Sequence, residues 1–203
     1  MSAPNLEIFF EISSPYSYLA ATQVEALAEQ TGAQLIWKPM VLGAVFKETS
    51  NTPPAQVPFK GRYMLKDLKR WATHYDVPFT MPSVFPFNSI TVHRTTLVAE
   101  RDLGQEAMVR LIHALYKAYW GEGRDLSSVA VLGEVLKGAG LNAEALIAGT
   151  QDPEIKQKLR DLTDEAISRG VFGAPTLFVG DEMFWGNDRF HFIEEALTRS
   201  PDA

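Results

Sequence analysis

Residues 6–19, LEIFFEISSPYSYL, carry the local pattern that is most informative about the fold. The first five of these residues form a short run dominated by apolar and aromatic side chains, which is typical of a buried strand. Ser14 and Pro15 then suit the N-cap and the first position of a helix, because the N–H that proline lacks would have no partner there. The sequence therefore predicts a strand that leads directly into a helix.

A second strand follows this helix. Apolar residues recur along one face of a single continuous helix at Ala20, Val24, Leu27 and Ala28. Gly32 is suited to end that helix, and residues 34–38 (QLIWK) have the composition of a strand. Two strands joined by one crossover helix favour a right-handed parallel unit.

The C-terminal part returns to β structure. Residues 175–179 (PTLFV) and 182–185 (EMFW) flank Gly180 and Asp181, a two-residue hairpin signal. Asn187 or Asp188 is then predicted to cap a last helix. The candidate inward residues of this helix are Phe190, Phe192, Ile193, Ala196 and Leu197.

Between these parts lies a helical pattern that is broken by prolines and glycines. Within each of two apolar sets, successive residues are separated by three or four positions, as on one face of a helix. The sets are Met64, Leu68, Trp71 and Tyr75, and Met108, Leu111, Leu115 and Ala118. The order of elements is that of a thioredoxin-like fold interrupted in the middle. We therefore predict an α/β protein in which residues 1–58 and 170–203 form a thioredoxin-like domain (β-α-β … β-β-α) and residues 59–169 an inserted all-α subdomain.

Composition excludes several classes of function. The 203 residues carry 19 Lys and Arg against 25 Asp and Glu, a net charge of −6 without a basic run, so no nucleic-acid partner is expected. The absence of cysteine excludes disulfides, a redox dithiol, a cysteine nucleophile and thiolate metal sites. The four histidines are scattered, and no metal site is expected. No apolar run approaches the roughly 20 residues that span a bilayer, so we expect a soluble, cytoplasmic protein without a membrane partner.

Two places carry the chemical interest. Ser14, Pro15, Tyr16 and Ser17 stand at the junction of strand and helix where a thioredoxin-like redox enzyme has Cys-x-x-Cys, so the location is kept without the electron-transfer groups. Pro175 opens a strand, and in thioredoxin-like folds this proline is cis and faces the helix N-terminus. The residue before it, Ala174, then offers its N–H and C=O to a peptide-like ligand.

Each residue also has a purely structural interpretation. Ser14 alone is an ordinary N-cap, and Pro175 alone is a proline at a strand edge. Asn187 and Asp188 alone are helix caps, and Trp185 alone is a core residue or a lid. It is the occurrence of both sites in the right order, around a helical insertion, that favours a functional site.

The motifs resemble the 2-hydroxychromene-2-carboxylate isomerases, glutathione-dependent relatives of the kappa-class glutathione transferases. The resemblance covers nearly the whole chain, in order and with similar spacing. It is carried by residues 10–19 (FEISSPYSYL), 50–54 (SNTPP), 60–67 (KGRYMLKD), 120–123 (WGEG) and 171–189 (VFGAPTLFVGDEMFWGNDR). It implies a thioredoxin-like domain with a helical insertion, a homodimer and glutathione as cofactor.

The resemblance also implies roles for individual residues. Ser14 matches the serine that activates the glutathione sulfur. The remaining residues implied to bind glutathione are Pro15, Tyr16, Asn51, Ala174, Pro175 as the cis proline, Trp185, Gly186, Asn187 and Asp188. The candidates for contacting the substrate are Lys47, Lys60, Arg62 and Phe85, the last of which stands where the isomerases can carry a tyrosine.

The implied reaction converts 2-hydroxychromene-2-carboxylate, a small aromatic carboxylate, into trans-o-hydroxybenzylidenepyruvate during aromatic hydrocarbon degradation. Reversible addition of a thiolate would let the carbon–carbon double bond rotate, and a chain without cysteine must borrow that thiolate from glutathione. Two alternatives stay open at this point. One is a kappa-like glutathione transferase that releases the conjugate, and the other is a non-catalytic module that binds glutathione or a peptide.

Overall fold

The computed structural model describes residues 3–199. The strands are β1 (Asn5–Phe10), β2 (Gln34–Pro39), β3 (Thr176–Val179) and β4 (Glu182–Trp185). The first helices are α1 (Pro15–Ala21), α2 (Val24–Thr31), α3 (Leu42–Glu48) and α4 (Pro58–His74), with a 3-10 turn at Pro54–Gln56 before α4. The others are α5 (Ile90–Leu103), α6 (Gln105–Tyr116), α7 (Val129–Gly138), α8 (Ala143–Gly149), α9 (Pro153–Ser168) and α10 (Phe190–Thr198), with a π-helical turn at Lys117–Gly121.

The four strands form one mixed sheet in the order β2-β1-β3-β4. β1 and β2 are parallel, from the pair Asn5 and Gln34 to the pair Phe10 and Pro39. β3 lies antiparallel to β1, and β4 antiparallel to β3. The parallel pair and the C-terminal hairpin confirm the predicted thioredoxin-like order of elements.

The first predicted helix is two helices in the structure. α1 ends at Ala21, where the Thr22 hydroxyl donates to the Leu19 carbonyl at 2.7 Å and the Gln23 N–H to the Ala20 carbonyl at 3.0 Å. A threonine hydroxyl that bonds a nearby backbone carbonyl competes with the helical pattern, and no apolar spacing reveals this. Gly32 ends α2 as predicted, in a left-handed conformation with φ +68°.

The start of the last helix also differs from the prediction. Arg189 holds the N-cap position of α10, and no side chain caps the helix. Asn187 is buried, and its carbonyl accepts a hydrogen bond from the Tyr75 hydroxyl at 2.6 Å. Ile193 and Leu197 face the core as predicted, whereas Phe192 is exposed. Residues 187 and 188 therefore belong to the loop between β4 and α10.

Apolar side chains pack on both faces of the sheet. One large cluster joins β1 and α1 to α4, α5, α6 and α7, and both predicted apolar sets contribute to it. A smaller cluster around Phe9, Val45, Ala166 and Phe178 lies beneath α3 and α9. Because the large cluster runs on from the strands into the helices, the division at residues 59 and 169 stays a prediction. No helix within residues 3–199 is long and apolar enough to cross a membrane.

A network of charged side chains covers the smaller cluster. Lys38 donates to Glu7 at 2.9 Å and to Glu165 at 2.6 Å, and Arg169 bonds Glu7 while its guanidinium lies 3.7 Å from the centre of the Phe178 ring. Burial raises the pKa of the Glu7 carboxyl, but the hydrogen bonds and charges of Arg169 and Lys38 outweigh burial and hold the pKa below its usual value. Glu7 therefore stabilises the fold in its ionised form.

Replacing Glu7→Gln should lower the free energy of unfolding at neutral pH by about 1–3 kcal/mol, since Lys38 and Arg169 lose a charged acceptor. The depressed pKa means that the stabilisation by Glu7 is complete above the unperturbed value of 4.5 and is lost as the pH falls through the folded-state pKa. Urea unfolding at neutral and acidic pH measures both effects. If the difference in stability between wild type and variant is the same at both pH values, Glu7 does not stabilise the fold through its ionised form.

Candidate active site

A cavity of about 970 Å³ opens where the β1–α1 junction, the start of β3 and the β4–α10 loop meet helices α4 and α5. Its lining includes Ser14, Ala174 and Trp185, together with the aromatic side chains of Trp71 and Phe85. The two regions singled out in the sequence, separated by about 160 residues, therefore share one cavity. This cavity is the candidate active site.

Ser14 lies at the centre of this arrangement. It is buried, with 6% of its surface exposed, and its Oγ accepts a hydrogen bond from the Ser17 N–H at 3.2 Å as the N-cap of α1. The same hydroxyl donates to the carbonyl of Ala174 at 3.1 Å. Ser14 is therefore a helix cap and also a direct link to the strand that opens at Pro175, so the structural and functional interpretations of this serine are compatible.

The start of β3, next to Ser14, is fixed by its backbone conformation and by close packing. The Ala174–Pro175 peptide is cis, and the Pro175 carbonyl accepts a hydrogen bond from the Gly186 N–H at 3.1 Å. A Cβ at Gly173 would stand only 2.5 Å from Nε1 of Trp185, so this position requires glycine for the indole to approach. The β3–β4 hairpin thereby brings Trp185 and the following loop to the cavity edge.

Polar groups from three loops complete this side of the cavity. Asn51 donates from Nδ2 to the Phe172 carbonyl at 2.9 Å, which ties the loop after α3 to the segment before β3. Asn187 has 3% of its surface exposed, and its Nδ2 has no hydrogen-bond partner among the described residues. A buried amide donor without a partner is costly and indicates a ligand or water acceptor at that point. Asp188 lies beside it, paired with Arg189 at 2.5 Å.

Tyr16 contributes a phenol rather than a phenolate to the cavity. Its hydroxyl donates to Oδ2 of Asp67 at 3.4 Å, and both residues line the cavity. Burial raises the pKa of Tyr16, and the negative charge and hydrogen bond of Asp67 raise it further. The Tyr16 hydroxyl therefore stays protonated and acts as a hydrogen-bond donor.

The predicted substrate residues separate into two groups. Lys60 and Phe85 line the cavity, and the Phe85 ring packs edge-on against Trp120 at 5.5 Å between ring centres. Lys47 is exposed near the end of α3 and does not line the cavity. Arg62 also lies outside the lining, with its guanidinium 4.6 Å from the centre of the Phe59 ring. The structure thus brings two of the four candidates to the cavity.

An ionisable pair close to Ser14 was not predicted from the sequence. Glu11 is 2% exposed and His93 fully buried, and Nε2 of His93 lies 3.0 Å from Oε1 of Glu11. Burial raises the pKa of Glu11, but the charge and hydrogen bond of His93, with further hydrogen bonds from Ser89 and Ser13, hold it below its usual value. The one available signal was an acidic residue directly after an apolar strand.

The arrangement suits an extended ligand that carries polar groups at its ends. Ala174 lies at the start of a strand and Asn187 offers a buried donor, while Asp188 and Lys60 supply charges of opposite sign. Trp71, Phe85, Phe87 and Ile90 add an apolar wall for a second, hydrophobic compound. Within residues 3–199, no group of three His, Asp or Glu side chains is arranged to hold a metal ion.

Known proteins are similar to this chain over nearly its whole length. Residues 5–198 match the DSBA-like thioredoxin domain family. The chain is 34% identical to 2-hydroxychromene-2-carboxylate isomerase of Sphingobium xenophagum over 95% of this chain and 97% of that protein. It is 32% identical to glutathione S-transferase kappa 1 of Caenorhabditis elegans over 96% and 91% of the two chains. A solved structure of a 2-hydroxychromene-2-carboxylate isomerase superposes with a TM-score of 0.82 at 29% identity, over 95% and 93% of the two chains.

The loop that carries Asn187 should depend on the Tyr75 hydroxyl, which donates to its carbonyl. Tyr75→Phe should lower the free energy of unfolding by about 1 kcal/mol and speed amide hydrogen exchange at residues 186–188. Tyr18→Phe is the matched control, because Tyr18 donates a 2.6 Å hydrogen bond to the Pro78 carbonyl away from the cavity. Equal exchange at residues 186–188 in the two variants would show that Tyr75 does not order the loop.

Proposed function

Because the chain belongs to the DSBA-like thioredoxin domain family, within the group of the 2-hydroxychromene-2-carboxylate isomerases and kappa-class glutathione transferases, we propose that it is a glutathione-dependent isomerase of this type. Its substrate pair would be 2-hydroxychromene-2-carboxylate and trans-o-hydroxybenzylidenepyruvate, or a closely related bicyclic aromatic carboxylate. Glutathione is regenerated in such a reaction, and no net oxidation or reduction occurs.

The observation that carries this proposal is the contact between Ser14 and Ala174 in a chain without cysteine. The contact brings a hydroxyl, rather than a thiol, against the backbone that precedes a cis proline. A site of this kind can hold a peptide-like thiol next to a neutral hydrogen-bond donor, but it cannot exchange disulfides itself. This favours a borrowed thiol over a redox function.

The residues around the cavity fit a glutathione molecule. The unpartnered Nδ2 of Asn187 offers a buried donor for the γ-glutamyl carboxylate, and the Asp188 carboxylate suits the neighbouring ammonium group. Ala174 offers its backbone N–H and carbonyl to the cysteinyl unit, and Asn51, Trp185 and Gly186 line the same side. These are the residues that would hold the tripeptide.

Bound glutathione would supply the thiolate nucleophile that the chain lacks. Ser14 would donate its hydroxyl hydrogen to the sulfur, which favours the ionised form of the thiol. The Ser14 oxygen meanwhile keeps accepting from the Ser17 N–H, so the hydroxyl can turn away from Ala174 without losing its cap. The Tyr16 hydroxyl donates its one hydrogen to Asp67, so Ser14 is the hydroxyl assigned to the sulfur.

The apolar part of the cavity lining would hold the aromatic substrate. Trp71, Phe85 and Phe87 exclude water from it, and Lys60 is the predicted residue at the cavity wall that can bind a carboxylate. A kappa-like glutathione transferase would use the same site for an electrophile and release the conjugate. The relatives of both kinds support this as the second candidate.

One set of assays separates the candidate functions. The protein is incubated with glutathione and the chromene carboxylate, and separately with glutathione and chlorodinitrobenzene. An isomerase converts many equivalents of the carboxylate for each glutathione present, whereas a transferase consumes one glutathione for each conjugate. A binding module shows affinity for glutathione without turnover, and that result would overturn the proposal of an enzyme.

Ser14→Ala should separate activation of the sulfur from helix capping. Loss of the cap costs about 1 kcal/mol of stability. Loss of a donor to the thiolate should raise the pKa of the bound thiol and lower turnover at neutral pH by about 100-fold. The measurements are turnover against pH and the ultraviolet absorbance of the bound thiolate, with binding of glutathione followed by calorimetry.

Ser128→Ala is the matched control, because Ser128 caps α7 by accepting from the Val131 N–H and does not line the cavity. It should lose similar stability and keep its turnover. If the pH profile of Ser14→Ala overlays that of the wild type and the rates differ by less than about threefold, Ser14 is only a cap.

Asp188→Asn should weaken glutathione binding by roughly 1.5–3 kcal/mol if the carboxylate holds the γ-glutamyl ammonium. Asp181→Asn, in the exposed turn between β3 and β4, removes the same charge outside the cavity lining and should leave affinity unchanged. Calorimetry measures both variants. Equal affinities would assign Asp188 a purely structural role in its loop.

A further inference from the structure

A buried carboxylate that the proposed chemistry does not use lies beneath the active-site serine. Glu11 follows β1 directly, and its carbonyl accepts a hydrogen bond from the Ser14 N–H at 3.0 Å. Its side chain is almost fully buried, as is His93 beside it. An ionised group in such a position costs several kcal/mol unless it is paired and hydrogen-bonded.

Besides the Ser89 hydroxyl named above, three N–H groups bond the Glu11 carboxylate. Oε1 accepts from the Ser13 N–H and from Nε2 of His93, both at 3.0 Å, and Oε2 accepts from the Leu42 N–H at 3.3 Å. Such an arrangement favours the carboxylate, which has only acceptors, over a carboxylic acid. Because its oxygens are occupied in this way, Glu11 is badly suited to remove a proton from a substrate.

The three donors belong to three separate segments of the cavity wall. Ser13 precedes Ser14, and Leu42 is the first residue of α3. His93 lies in the first turn of α5, one turn from Ser89 at the cavity lining. One buried carboxylate thus ties together segments whose sequence separations reach 82 residues.

We propose that Glu11 and His93 are positioning residues for Ser14, holding the Ser13–Ser14 turn at the distance from Ala174 that activation of the sulfur requires. This inference rests on the proposed function. It assigns the pair a geometric role in the reaction: Glu11 lines the cavity, but its oxygens are occupied by hydrogen bonds from the protein.

Glu11→Gln tests the proposal with a side chain of the same size. An amide must turn its NH₂ group toward at least one of the three donors, so one hydrogen bond is replaced by a repulsive contact. In the ligand-free protein, amide hydrogen exchange at Ser13 and Leu42 should speed up at least tenfold. With glutathione bound, the thiol pKa should rise and kcat should fall at least tenfold, with a smaller change in KM.

The direction of the change in the thiol pKa separates geometry from charge. Removing a negative charge from beneath the sulfur favours the thiolate, so electrostatics alone predicts a lower thiol pKa for Glu11→Gln. Misplacement of the Ser14 donor predicts a higher one. A lower or unchanged thiol pKa together with unchanged kcat would overturn the proposal.

Glu7→Gln is the matched control. Glu7 is an ion-paired glutamate within β1, the strand that Glu11 follows, and it lies outside the cavity lining. This variant should lose stability while keeping the amide exchange at Ser13, the thiol pKa and kcat of the wild type. If it reproduces the changes of Glu11→Gln, those changes reflect general destabilisation, and the proposal fails.

A pair of variants at His93 decides the outcome if Glu11→Gln does not fold. His93→Leu removes the donor to Glu11, whereas His93→Gln keeps an N–H in its place. The leucine variant should show the raised thiol pKa and faster exchange at Ser13, and the glutamine variant should return both toward wild type. If the two behave alike, or if neither folds, the pair is a requirement of the fold and the positioning role is refuted.

Failure of the proposed function gives a different result. In that case the wild type itself binds no glutathione by calorimetry or shows no bound thiolate in its ultraviolet absorbance. Failure of the positioning role leaves both signals intact in the wild type and unchanged in the Glu11 and His93 variants. The exchange experiment on the ligand-free protein reports on the geometry of the Ser13–Ser14 turn in either case.

Discussion

The hydrogen bond from the Ser14 hydroxyl to the Ala174 carbonyl is the contact on which the site depends. It joins the junction of β1 and α1 to the start of β3, two segments that the antiparallel pairing of β1 with β3 brings to the same end of the sheet. Each side of the contact is positioned independently, the serine by its capping bond to Ser17 and the carbonyl by the cis peptide that follows it. The cavity is built around this meeting point.

Two glutamates, one in β1 and one directly after it, have different structural roles. Glu7 is paired with Lys38 and Arg169 above the smaller apolar cluster, where it stabilises the packing of α9 on the sheet. Glu11 instead accepts hydrogen bonds from three segments of the cavity wall. Both carboxyls have pKa values held below their usual range by their partners, despite the opposing effect of burial. The two residues differ in the location of their partners, which lie over the smaller apolar cluster for Glu7 and in the cavity wall for Glu11.

Local patterns predicted the parts of the fold that local physics controls. The strand at residues 6–10, the N-cap at Ser14, the end of α2 at Gly32 and the hairpin turn at Gly180 all follow from side-chain type and spacing. The break between α1 and α2 was missed, because it rests on a Thr22 hydroxyl bond that apolar periodicity does not register. The capping role expected for Asn187 or Asp188 was wrong, because a tertiary contact with Tyr75 holds that loop away from α10.

The amino-acid sequence alone excludes redox chemistry through thiols of this chain, since it has none, and it predicts a serine at the helix start. It also predicted the positions of the four strands and of the last helix along the chain, because periodicity and turn residues act over a few positions. The tertiary structure, and no local pattern, places Lys60 and Phe85 in the cavity lining and leaves Lys47 and Arg62 outside it. It likewise decided that His93 pairs with Glu11, since partners 82 residues apart meet only through the packing of α5 against the end of β1.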